Sequence, residues 1–130
     1  MKRGFQILCL VQMCFFVLCF QARAGNNDAE LKRYNQCMSQ SRTHPENGIE
    51  MARTWLAEGD FSAAKHCLAT GKFFSGAYKA AATIFEKLAT ADDDFTNQLR
   101  SQLFSQAGHA RLLIGQSEKA LENQTAAINL

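Results

Sequence analysis

LFSQAGHARLLIGQSEKALENQTAAINL, residues 103–130, decides the fold. Leu103, Ala107, Ala110 and Leu113 recur at helical spacing and give one apolar stripe. Gly115 stops that helix, and Ser117 starts another in which Ala120, Leu121, Ala127 and Ile128 are the apolar residues. Two short amphipathic helices joined by a glycine turn form a helical hairpin. Neither helix buries its apolar stripe unless something packs on it.

The same grammar runs upstream. Asp28 to Arg42 reads as a first helix, with Asn26, Asn27 and Asp28 able to cap it and Leu31, Tyr34, Cys37 and Met38 as its stripe. Thr43-His44-Pro45 breaks it, and Pro45 with Glu46 starts a second helix to about Glu58. Gly59-Asp60 ends that one. Phe61 to about Ser75 is predicted as a third helix, Ala77 to Thr90 as a fourth, Phe95 to Ile114 as a fifth, and Ser117 to the C-terminus as a sixth. Asp92-Asp93-Asp94 forms an acidic turn whose carboxylates suit the start of the fifth helix. No stretch alternates with a period of two, so the fold class is all-α.

Aligning Gly76 with Gly115 gives an internal shift of 39 residues. Under it Ala69 meets Gly108, Phe73 meets Leu112, Ala81 meets Ala120 and Leu88 meets Ala127. Each pair is apolar or small. Helices approach closely only where side chains are small, and a turn glycine supplies backbone angles that other residues resist.

This arrangement resembles the tetratricopeptide repeat, a helix–turn–helix unit of about 34 residues. Ala69, Gly76, Ala81, Gly108, Gly115, Ala120 and Ala127 stand where that repeat has its small packing and turn residues. The longer spacing is assigned to the turn around Asp92 to Thr96, and Lys65 stands where a large apolar residue is usual. The chain also resembles a group of exported bacterial repeat proteins. The residues that carry this are Cys37, Pro45, Trp55 and the His66-Cys67 pair. The resemblance implies a right-handed array of helical hairpins, an α-solenoid, over residues 25–130.

Residues 1–24 read as a secretory signal peptide. Lys2 and Arg3 are followed by the nearly unbroken apolar run Phe5–Phe20 and then by Ala22-Arg23-Ala24, with small residues at Ala22 and Ala24 where a peptidase reads. Cleavage is expected after Ala24. The alternative is an uncleaved membrane anchor, for which the run is short. A lipid-attachment signal would need a small residue before Cys19, where Leu18 stands. The whole chain carries 14 basic and 12 acidic residues. Loss of Lys2, Arg3 and Arg23 leaves a net charge of about −1, computed from these counts, and no nucleic-acid footprint.

Cys37 and Cys67 are then the remaining cysteines, and in an oxidising compartment they are expected to form a disulfide. Such a bond would stabilise the fold by about 3–4 kcal/mol. Two alternatives stay open. One is a thiol-redox pair, although the pair lacks the close spacing of Cys-x-x-Cys. The other is a metal site with His44 and His66, although the adjacent His66 and Cys67 diverge by about 100° on a helix. No metal, cofactor or catalytic group is expected. His109 has no recognisable nucleophile beside it and reads as solvent-facing, and Asp92–Asp94 lacks the alternating ligands of a calcium loop.

In the tetratricopeptide family the first helix of each hairpin lines a concave groove. Carried over, those positions are Ala63, His66, Thr70 and Phe73 in one copy and Gln102, Ser105, His109 and Leu112 in the other. The family's carboxylate clamp needs Lys and Asn there, so a free C-terminal peptide is not the expected ligand. Trp55 is expected in the core, and Phe73 and Phe74 cannot both face the same way. The function expected is therefore a periplasmic scaffold, not an enzyme, docking another envelope protein or peptide. Membrane contact would come only through an uncleaved signal. An accessory role in a larger complex, or self-association through the C-terminal helix, is the alternative.

Overall fold

The computed structural model describes residues 27–91 and 95–130. The expected signal peptide with Ala22 and Ala24, and the expected turn at Asp92–Asp94, lie outside the described residues. Those described form six helices and no strand: α1 (27–43), α2 (Pro45–Glu58), α3 (Ser62–Phe74), α4 (Tyr78–Thr90), α5 (Asn97–Leu113) and α6 (Ser117–Ile128). None is long and apolar enough to cross a membrane.

The helices start and stop for local reasons. Pro45 sits in the first turn of α2, where its missing N–H costs nothing, and Glu46 faces the positive end of the helix dipole. α5 begins two residues later than Phe95, because the Thr96 side chain caps it by accepting from the Leu99 N–H at 3.2 Å. α3 likewise starts at Ser62, with Phe61 left extended before it.

The turns after α3 and α5 are the same object. Gly76 (φ +84°) and Gly115 (φ +73°) both take the left-handed conformation. The Ala77 N–H reaches back to the Lys72 carbonyl at 2.8 Å and the Gly76 N–H to that of Phe73 at 3.1 Å. After α5, Gln116 bonds to Arg111 and Gly115 to Leu112, both at 3.0 Å. This paired closure of the last turn is the Schellman motif. Lys72 and Arg111, Phe73 and Leu112, and the helix starts Tyr78 and Ser117 all stand 39 residues apart.

Helices α2 to α6 pack principally on their neighbours in sequence. Small residues set the distance of approach. A Cβ on Gly108 of α5 would fall 3.1 Å from the Ala120 carbonyl oxygen and 3.3 Å from Asn123 Cβ, both on α6. A Cβ on Gly71 of α3 would fall 2.8 Å from Ile49 Cγ1 on α2. A second set of contacts skips one helix. α1 meets α3 through Cys37–Cys67, α3 meets α5 through His66 and Gln106, and α4 meets α6 through Glu86 and Asn123.

Two buried clusters follow. Cys37, Met38, Ala52 and Cys67 join α1, α2 and α3. Ala69, Ala81, Phe85, Leu88, Ala89, Leu103 and Ala107 join α3, α4 and α5. Trp55 is buried as well. Cys37 and Cys67 form a disulfide with a Cα–Cα distance of 6.0 Å, and both residues are buried. Ser41 packs beside it, its hydroxyl donating to the Cys67 carbonyl at 3.1 Å.

Candidate partner-binding surface

The residues predicted to line the groove fall into two groups. Those of α3 are drawn into seams between helices. His66 Nε2 donates to Gln106 Oε1 at 3.2 Å, which leaves Nδ1 to accept from the Tyr34 hydroxyl at 2.8 Å. His66 therefore links α1, α3 and α5 as a neutral imidazole. Burial lowers its pKa against the opposing effect of the Gln106 bond. Burial also raises that of Tyr34. Thr70 is buried, with its hydroxyl bonded to the His66 carbonyl at 2.9 Å. Ala63 and Phe73 are partly covered, and Phe73 stacks edge-on to Phe74 and Tyr78.

The α5 group is different. Gln102, Ser105, His109 and Leu112 are all exposed. The rings of His109 and Phe73 lie 5.2 Å apart, so these two join the α3 and α5 rows at the surface. Ser105, His109 and Leu112 line one side of a groove of about 370 Å³, with Ala120 and Gln124 of α6 opposite and Gly108 at its base. Gln124 donates to the Ser105 carbonyl at 3.3 Å, tying α6 to α5 beside the groove. The groove offers an apolar wall, an imidazole, a hydroxyl and a carboxamide. That mixture suits docking a peptide surface.

A second open groove, of about 680 Å³, runs along the start of α4 between Tyr78, Ile84 and Ile114, and it is apolar. Among the described residues no three His, Cys, Asp or Glu side chains gather to hold a metal ion.

Sequence reasoning missed one strong polar constellation. Arg111 of α5 is buried and makes a bidentate pair with Glu86 of α4, Nε to Oε1 at 2.8 Å and Nη2 to Oε2 at 2.6 Å. Its Nη1 donates to Gln116 at 2.9 Å, and Asn123 of α6 donates to Glu86 at 2.9 Å. The Arg111 hydrogen bonds hold the Glu86 carboxyl below its ordinary pKa, against its desolvation. Comparison of the chain with protein-family models, curated proteins and solved structures finds no match.

Proposed function

We propose that this chain is a tetratricopeptide-like scaffold that binds another protein through the surface shared by α3, α5 and α6. One observation carries the reading: the α3–α4 and α5–α6 hairpins share the same glycine turn and its paired closing hydrogen bonds, and the second leaves Leu121 and Ile128 of its equivalent face exposed. Stacked hairpins of this kind offer extended binding surfaces. The α-solenoid form and the right hand of the array belong to the same proposal.

Export to the periplasm is supported by the tripartite N-terminal sequence and by the Cys37–Cys67 bond, since disulfides persist in oxidising compartments. Burial of both cysteines favours a structural staple over a redox pair, which would need an accessible sulfur.

The test is site-specific photocrosslinking from position 109 in intact cells, followed by identification of the adduct. A single defined envelope partner, lost when Phe73→Ala is added to a chain that still folds by circular dichroism, is the expected result. Adducts with only abundant bystander proteins would reject the groove.

A further inference from the structure

The 39-residue equivalence says more than that a face is open. It says what kind of element fits there. In the α3–α4 hairpin, Ala69, Ala81, Phe85, Leu88 and Ala89 are covered by α5. Their equivalents are Gly108, Ala120, Gln124, Ala127 and Ile128. Gly108, Ala120 and Gln124 line the 370 Å³ groove, and Ile128 and the neighbouring Leu121 are 82% and 69% exposed.

The two helices that fill such seats inside the molecule share a pattern. α3 carries Ala64, Leu68, Gly71 and Lys72, and α5 carries Leu103, Ala107, Ala110 and Arg111. In both, a small or apolar residue is followed by another four positions on, a small residue at seven and a base at eight. The contacts of these residues run to the preceding helices, and the base is seen paired in α5. Leu68 packs on the Cys37–Ala52 cluster, Gly71 on Ile49, and Arg111 on Glu86 and Thr83 of α4.

Charge completes the match. At the α6 positions equivalent to Thr83 and Glu86 stand Glu122 and Thr125, so the hydroxyl and carboxylate have exchanged places and both are exposed. A base arriving at the eighth position again meets one carboxylate and one hydroxyl. A second copy of this chain is a poor head-to-tail occupant. Its own α3 and α5 are already packed, and α1 presents the exposed polar residues Asn35, Gln36, Ser39 and Thr43 with one exposed leucine, Leu31, before them.

We propose that the α5–α6 face seats one amphipathic helix of a partner protein bearing this apolar–apolar–small–basic pattern. The proposal rests on the scaffold reading above and names the seat and the chemistry of its occupant.

The probe is a synthetic peptide with the sequence of α5, residues 97–113, added to the folded, disulfide-bonded chain and followed by amide chemical shifts. Saturable shifts at Leu112, Leu121 and Ile128 are expected. Leu121→Glu on the chain, or Ala107→Asp in the peptide, should weaken binding by at least about tenfold. Glu122→Lys should weaken it less and be rescued by a peptide with Arg111→Glu. Absence of shifts, shifts confined to the Tyr78–Ile114 groove, or affinity indifferent to Leu121→Glu would overturn the proposal. So would a free chain that already buries Leu121 in a twofold dimer. These failures leave a Phe73-dependent crosslink untouched, so the broader scaffold reading stands or falls separately.

Discussion

The α3–α4 and α5–α6 hairpins have the same turn, small residues at the same crossing positions and different fates for their outer faces. Leu88 and Ala89 of α4 are 3% and 1% exposed. Their equivalents Ala127 and Ile128 are half-buried and exposed. Among the described residues the first hairpin is packed on both sides and the second on one. What the pair teaches is that hairpin geometry is written locally, whereas burial is decided by what packs next.

The comparison can be broken hardest at Arg111. Arg111→Met strands the Glu86 carboxylate between α4 and α6, and unfolding in urea should register a loss of about 3 kcal/mol. The double variant with Glu86→Gln should recover much of it. Next come the outer faces. Leu88→Ala should cost about 2–3 kcal/mol, as a buried leucine does, while Ile128→Ala should stay within about 0.5 kcal/mol. Equal costs at these two sites would erase the distinction between the hairpins.

The turns predict the opposite, an equality. Gly76→Ala and Gly115→Ala each force a side chain into left-handed backbone and should each cost about 1 kcal/mol. Smallest is the pH effect at the α1–α3–α5 junction. His66 has a lowered pKa in the fold, so the neutral form is favoured there. Its contribution is complete above the unfolded value of 6.5 and is lost as pH falls below that toward the folded value. Glu86, with a lowered carboxyl pKa, adds loss of the same sign at more acid pH. Stability measured from neutral downward should fall in these two stages, and His66→Gln should remove the first.

The six helices were legible because their signals are local. Pro45, Gly76, Gly115 and apolar spacing each act within a turn or two of chain. The Cys37–Cys67 bond was legible because these are the two cysteines outside the expected signal peptide. The Glu86–Arg111–Asn123 network was not, since residues 25 and 37 positions apart leave no pattern in the text. The division of the groove residues was hidden for the same reason. Thr70 and His109 occupy one register position, yet the first is buried and the second exposed. The start of α5 moved from Phe95 to Asn97 because the hydroxyl of Thr96 captures a free backbone N–H.

The covalent tie between α1 and α3 also grades the molecule from one side to the other. The bond restricts the opened ensemble of α1 and α3 and so raises the cost of separating them, whereas α6 is held by α5 and by a few polar bonds to its neighbours. Opening free energies should therefore descend along the chain. Hydrogen exchange would show α6 trading its protons first, so the helix that flanks the open seat is also the one most able to adjust to whatever enters it.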